Sequence, residues 1–306
     1  MRSVWQAGVW QAGVWRCAWL CVWAWCVVCV SAQAVVVRDD RNREVVLQHP
    51  PQRIVSLLPS LTETVCVLGQ CDKLVGVDRY SNWPQSVEKL PRLGGGIDPQ
   101  LESVLALKPD LVLMATSARG ADRLQALGLT VLIFEPRTYA DVQRVLQQLA
   151  LALGVSAKEG EALWHSMQDE VKAAAQTVPE ALRGQRVYIE VSTAPYGASE
   201  GSFMGETLQR LGARNILPAS MGPFPKVNPE FVVQAQPDLI MVGDSQLASM
   251  RTRPGWSNLR AMRAQRVCHF KPAQSDVLVR PGPRMGEGAR LMAHCLAQMG
   301  AHGRQP

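Results

Sequence analysis

Pro99–Met114, P-Q-L-E-S-V-L-A-L-K-P-D-L-V-L-M, is written twice in this chain. Its echo is Pro229–Val242, P-E-F-V-V-Q-A-Q-P-D-L-I-M-V. In each copy a glutamate, Glu102 or Glu230, opens an apolar run, and Pro-Asp follows seven residues later at Pro109-Asp110 or Pro237-Asp238. The spacing of Leu101, Val104 and Leu105, and of Phe231, Val232 and Ala235, suits one face of a short helix. The proline ends that helix because it pushes its predecessor out of the helical region. Leu111–Met114 and Leu239–Val242 then read as strands buried on both faces, as in a parallel sheet. Two matching units of helix, Pro-Asp turn and buried strand predict two α/β lobes with a ligand cleft between them.

Residues 1–34 stand apart from that pattern. Arg2 and Arg16 are the only charges before Arg38, Cys17–Val30 is apolar, and Ala32-Gln33-Ala34 supplies the small residues that a signal peptidase reads. The run is shorter than the ~20 apolar residues of a membrane span, so a cleaved signal peptide is expected rather than a retained anchor. No cysteine there follows a convincing lipobox, which favours a soluble product over a lipoprotein. The tandem V-W-Q-A-G at Val4–Gly8 and Val9–Gly13 carries no assigned function.

Beyond the leader, the chain holds 30 of the 32 basic residues and all 26 acidic ones, a net charge of +4. With no Lys/Arg block, nucleic acid is not an expected partner. The remaining length accommodates two medium α/β domains with real cores. Four cysteines remain, Cys66, Cys71, Cys268 and Cys295. In an exported chain they are expected to pair, Cys66 with Cys71 beside the helix end at Gly69, and Cys268 with Cys295 between a strand and the last helix. Four cysteines allow three connectivities, so the other two pairings stay open. Neither these cysteines nor the five scattered histidines have the spacing of a metal site.

Along the chain, Arg53–Leu58 reads as the first core strand. Ser60 and Glu63 in P-S-L-T-E-T then read as N-cap and capping box of a helix. Ser156–Val178 is the longest helical pattern, with Leu163, Met167, Val171 and Ala175 on one stripe. About 22 helical residues span ~33 Å, enough for a strut along two lobes, although an ordinary packing helix shows the same stripe. The expected divisions are a signal peptide at 1–34, an N-terminal α/β lobe at 35–155, a connecting helix at 156–180 and a C-terminal α/β lobe at 181–306.

No Walker A motif, dinucleotide fingerprint or H-E-x-x-H is present, and no catalytic residue, metal ligand or cofactor is assigned. Gly94-Gly95-Gly96 lacks the Lys-Ser/Thr that a phosphate loop needs, so it reads as a turn. The loops at the carboxyl ends of the strands are richer. They hold Tyr80 and Trp83, Tyr196, Phe224 within G-P-F-P, and Asp276 with Arg280 and Arg284. Ligands of open α/β sheets bind at such ends, and aromatic faces with a few polar groups suit a planar or bulky organic molecule.

R-I-V-S-L-L-P-S-L-T-E-T, L-V-G-V-D-R-Y-S-N-W-P, L-E-S-V-L-A-L-K-P-D-L-V-L and R-P-G-P-R resemble segments of the periplasmic substrate-binding proteins that serve ABC importers of vitamin B12, ferric siderophores and haem. The resemblance spans the chain beyond the leader and is strongest to the vitamin-B12-binding branch. It implies two Rossmann-like α/β lobes joined by a single long helix, the class III periplasmic binding protein fold. It also implies a monomer in the periplasm that delivers a small molecule to a permease of the inner membrane. By the same resemblance, Glu102 and Glu230 dock on permease arginines, where local physics alone offers a carboxylate favoured at a helix start. Tyr80, Tyr196 and Phe224 pack on ligand, with Asp276 and Arg280 as polar contacts.

Two departures bear on the ligand. The tryptophans of the B12 cleft are not matched at Gly95–Gly96 or near Ala115. With Arg119, Arg280 and Arg284 expected near the cleft, an anionic haem or siderophore stands beside the corrinoid, since propionates accept bidentate arginine bonds and corrinoid amides are neutral. The corrinoid ranks first. The rival from another class is a chelatase- or hydrolase-type enzyme on a similar bilobed scaffold, which requires a general base within reach of a nucleophile or metal.

Overall fold

The structure is a computed structural model describing residues 34–192 and 195–302. The expected signal peptide falls on residues outside that range, apart from Ala34. An antiparallel hairpin comes first, β1 (Val35–Arg38) with β2 (Glu44–Leu47). The N-terminal lobe continues through β3 (Ile54–Ser56), α1 (Pro59–Val67), β4 (Leu74–Val77), α2 (Leu101–Ala106), β5 (Leu111–Met114), α3 (Ala121–Ala126), β6 (Val131–Ile133) and α4 (Tyr139–Ala152). The long helix α5 (Ala157–Gln176) leads onward. The C-terminal lobe runs through β7 (Arg186–Ser192), β8 (Tyr196–Gly197), α6 (Phe203–Arg210), β9 (Arg214–Asn215), α7 (Pro229–Ala235) and β10 (Leu239–Gly243). It closes with α8 (Asp244–Arg251), α9 (Arg260–Arg263), β11 (Val267–Phe270), α10 (Pro272–Val279) and α11 (Met285–His302).

The two sheets repeat one topology. In the first, parallel strands lie in the order β4-β3-β5-β6; in the second, β9-β7-β10-β11 are parallel in the same spatial order. The second lobe adds β8, antiparallel to the end of β7.

The duplicated Pro-Asp motif makes the same staple twice. Lys108 (φ 48°) and Gln236 (φ 44°) take the left-handed conformation immediately before Pro109 and Pro237, so each helix ends abruptly there. The proline's predecessor does leave the right-handed helical region, but for the left-handed one rather than for extended backbone. Such a residue costs about 1–2 kcal/mol, and an arginine offsets it. Arg53 donates to the carbonyls of Leu107 and Lys108, and Arg186 donates to that of Gln236. The aspartate completes the turn: Asp110 accepts from the backbone N–H groups of Gln52 and Arg53 at 2.7 and 2.9 Å, and Asp238 from that of Arg186 at 2.9 Å. Each motif thereby sets its own strand, β5 or β10, in register beside the first central strand of its lobe, β3 or β7.

The outer face of each sheet carries its own core, Val104, Val112 and Leu124 in one lobe and Val232, Ile240 and Trp256 in the other. The inner faces share one continuous core that includes α4, α5, α6 and α11. α5 starts with a capping box of Ser156 and Glu159 and buries Trp164, Met167, Val171 and Ala174. That stripe is rotated slightly from the expected one, because Trp164 and Ala174 face the core while Leu163 and Ala175 flank it. The helix packs on α4 from one lobe and on α6 and α11 from the other, so it does span both. Disulfides join Cys66 to Cys71 at the end of α1 and Cys268 on β11 to Cys295 on α11.

One local expectation fails. α1 starts at Pro59 with Leu58 as its cap, since proline suits the first helical position. Ser60 and Glu63 lie inside the helix and are buried, so they form no capping box.

Replacing Asp110 with alanine removes two bonds to a charged acceptor, each about 1.5–3 kcal/mol before relaxation, and is expected to cost about 2–3 kcal/mol. Urea unfolding measures this, and a loss below about 1 kcal/mol would show that the staple is dispensable.

Candidate functional site

The site grows from the carboxyl ends of both sheets. After β4 the chain enters Asp78–Pro84, a loop clamped from within. Asp78 is fully buried, and its carboxylate accepts from the Ser81 hydroxyl and from the Tyr80 N–H. Ser81 also bonds Thr62 of α1, and Thr62 bonds Ser56 of β3. The Arg92 guanidinium donates to the carbonyls of Asp78 and Ser81. Burial pushes the Asp78 carboxyl above its usual pKa, partly countered by the bonds from Ser81 and Tyr80. This fixed loop holds the Tyr80 ring 58 % exposed, with the Arg79 guanidinium 5.7 Å from its centroid. Trp83 is half-buried beneath Arg284, whose guanidinium lies 5.2 Å from the ring.

From the other lobe, β8 presents Tyr196, 40 % exposed. The G-P-F-P loop runs alongside, bonded through Gly197 N–H to the Pro225 carbonyl and Ser199 N–H to the Pro223 carbonyl. Phe224 is half-buried and packs on Phe203 at 6.1 Å.

The lobes meet through a buried charge cluster. Glu63, on α1, is 1 % exposed and accepts from two arginines of the opposite lobe. Arg284 grips both carboxylate oxygens, at 2.7 and 2.9 Å, and Arg280 donates at 2.9 Å. Arg280 also donates to the Asn82 side chain and the Tyr80 carbonyl, and pairs with Asp276 at 2.9 Å. Asn82 in turn donates to Asp276 at 2.8 Å. A second contact lies across α4 and α6, where the Tyr139 hydroxyl meets that of Thr207 and the Phe203 N–H donates to the Arg137 carbonyl.

The expected ligand residues thus fall into two groups. Tyr80, Trp83, Asp276 and Arg280 are tied together by the cluster, while Tyr196 and Phe224 stand on adjoining segments of the second lobe. Arg280 is only 6 % exposed, with its donors committed inside the protein. Sequence reasoning passed over Glu63 and Asn82 as site residues. A signal for Glu63 was present: it is the only charged residue in α1. Other exposed large apolar side chains include Ile97 on the loop before α2, Met221 just before G-P-F-P and Val279 at the end of α10. Glu102 and Glu230 are exposed at the starts of α2 and α7. Glu102 lies 3.9 Å from Arg123, which follows the carboxyl end of β5.

Other features of this end lack catalytic form. A groove of about 680 Å³ beside the hairpin is lined by Asp39, Asp40, Glu135, Arg137 and Arg144, whose charges pair with one another or with Arg43 and Asp141. It contains none of the expected aromatics. Gly197-Ala198-Ser199-Glu200-Gly201 has the G-x-S-x-G spacing of a hydrolase nucleophile. Ser199 is fully buried, and its hydroxyl is used inside the loop by the Gly222 carbonyl and the Gly201 N–H. Among the described residues no group of three His, Cys, Asp or Glu side chains is placed to hold a metal, and no helix is long and apolar enough to cross a membrane.

Residues 54–273 match the model of a periplasmic binding protein family. An uncharacterised ABC transporter substrate-binding lipoprotein, YvrC, of Bacillus subtilis is 32 % identical over 86 % of this chain and 85 % of its own. The vitamin B12-binding protein of Pectobacterium atrosepticum is 28 % identical over 81 % of this chain and 90 % of its own. The crystal structure of a periplasmic haem-binding protein from Pseudomonas aeruginosa superposes with a TM-score of 0.69 at 26 % identity, covering 81 % of this chain and 93 % of that one.

The raised pKa of Asp78 has a testable sign. Its contribution to stability is fully present below the unfolded value near 3.8 and is lost as pH rises through the folded value. The stability of the native chain minus that of Asp78→Asn is therefore expected to fall as pH rises from about 4 and then level off. Urea midpoints from pH 3.5 to 8 measure the difference, and a flat difference would contradict it.

Proposed function

We propose that this chain, which belongs to the periplasmic binding protein family, captures a corrinoid between its two lobes and delivers it to an ABC permease. It works in the periplasm as a monomer after export, and it binds rather than transforms its ligand. Tyr80 and Tyr196 supply exposed ring faces from opposite lobes, with Trp83 and Phe224 behind them as packed supports. Asp276 adds an acceptor at the rim. The braced contacts between the lobes hold these groups in place before ligand arrives, which reduces the ordering cost of binding.

The observation that carries the corrinoid over haem is charge balance. Two of the three arginines expected to receive propionates, Arg280 and Arg284, are already paired with Glu63 and Asp276, which leaves the exposed Arg119 as the third. A neutral, amide-rimmed ligand asks for no unpaired cation there, whereas a dianionic one does. Haem or a ferric siderophore remains the alternative, the former in keeping with the haem-binding neighbour. The deciding measurement is titration with cyanocobalamin, haemin and a ferric siderophore, followed by absorbance. Preference for either iron ligand over cobalamin would overturn the corrinoid reading.

Tyr80 and Tyr196 are the informative substitutions, because neither ring is needed by the core. Each change to alanine is expected to weaken ligand about tenfold, the effect of a stacked ring, while moving the unfolding midpoint little. Unchanged titration curves for both would remove the aromatic cleft.

Docking falls to Glu102 and Glu230. They occupy equivalent positions in the two repeats, are exposed, and lie at the carboxyl side of their sheets, as a surface facing a permease requires. Alanine at both positions is expected to change stability by no more than about 0.5 kcal/mol and leave ligand affinity intact. Uptake into vesicles carrying the cognate permease is expected to collapse, since each docked charge pair is worth about 2–5 kcal/mol on truncation. Full uptake by the double variant would sink this assignment.

A further inference from the structure

Glu63 is a buried acid used by neither ligand contact nor docking. Its position is unusual: it neutralises Arg280 and Arg284, and those arginines lie directly behind the aromatic loop. Arg284 stacks over Trp83 at 5.2 Å, and Arg280 binds the Tyr80 carbonyl at 2.9 Å. Any charge left on them acts on the face offered to ligand through the Trp83 ring and the Tyr80 backbone. The cluster contains two cations, against which stand Glu63, Asp276 and, at 3.8 Å, Glu287. Glu63 is the member that touches both arginines, and with 1 % exposure it has no water to screen it.

We infer that Glu63 is a specificity-determining positioning residue, which holds the two arginines in place and, with Asp276 and Glu287, outweighs their charge so that the cleft favours neutral over anionic ligands. The inference rests on the ligand cleft proposed above, but not on which ligand the native chain prefers. Without Glu63 the cluster behind the cleft would be one unit charge more positive, two arginines against Asp276 and Glu287 alone. A unit charge about 10–12 Å away, at an effective dielectric of about 20, alters affinity for an anion on the order of tenfold.

The test uses the chain from Val35 onward, native and with Glu63→Gln or Arg284→Gln, each verified as folded by circular dichroism. Trp83 is half-exposed whereas Trp164 and Trp256 are buried, so quenching of tryptophan emission from solution reports on Trp83. Iodide is an anionic probe of that ring and acrylamide a neutral one. Glu63→Gln is expected to raise the ratio of iodide to acrylamide quenching roughly twofold at low salt, and Arg284→Gln to lower it. The ratio of haemin to cyanocobalamin affinity is expected to move the same way, by about tenfold. A merely structural role would change stability and both ligands together, leaving the ratios alone. Quenching ratios that stay unchanged in the folded variants, or shift in the same direction in both, overturn the inference. If Glu63→Gln does not fold, Arg284→Gln decides alone: a lowered quenching ratio supports the inference and an unchanged one overturns it. The affinities of the native chain judge the corrinoid reading separately, since a native preference for haemin defeats that reading while the ratios still judge Glu63.

Discussion

A carboxylate shut away from water, Glu63, sets the relation between the two halves of this molecule. Desolvating an acid and two guanidiniums costs several kcal/mol per ion, and their mutual attraction recovers this only with good geometry. Here the geometry is good: Arg284 forms a fork on both oxygens and Arg280 a further bond, with Asn82, Asp276 and the Tyr80 carbonyl taking the remaining donors. Such a cluster adds little net stability over apolar packing, yet a half-formed version is costly. It therefore selects one relative placement of α1 and the R-P-G-P-R segment against all others. Stability comes instead from the shared core around α5.

Beneath that junction, each lobe solves the same problem in the same way. A helix must stop, reverse and enter the middle of a parallel sheet within a few residues. The left-handed residue before Pro-Asp supplies the reversal, the arginine at the start of the neighbouring strand takes the orphaned carbonyls, and the aspartate takes that strand's N–H groups. The two staples leave the carboxyl ends of both sheets free of such obligations. Exposed Tyr80 and Tyr196 follow the carboxyl ends of β4 and β7, and a surface that displays aromatic rings on fixed loops is suited to binding.

Ser199 spends its hydroxyl within its own loop, and the acids of the charged groove beside the hairpin are each paired with an arginine. The aromatic rim is the feature whose groups remain available to a partner. Arg280, expected as a ligand contact, is 6 % exposed and has donors bonded to Glu63, Asn82 and the Tyr80 carbonyl behind that rim.

The sequence by itself determined the two-lobed α/β architecture, the long helix between the repeats and the boundaries of the Pro-Asp units. Periodicity, proline stereochemistry and continuous apolar runs act over a few residues, so they can be read directly. It also located the aromatic loops, because Tyr80-Ser81-Asn82-Trp83-Pro84 and G-P-F-P interrupt patterns that are otherwise regular. It misjudged Glu63, whose spacing from Ser60 imitates a capping box, and it set the α5 stripe slightly out of phase by leaving out Trp164. Only the tertiary structure decided those points. Glu63 meets Arg280 and Arg284 across 217 and 221 residues, and which acid faces which base at that distance depends on how two separately folded sheets are brought together. Local pattern carries no trace of that choice; the free energy of burying a charge does, and it becomes visible only when the lobes are in contact.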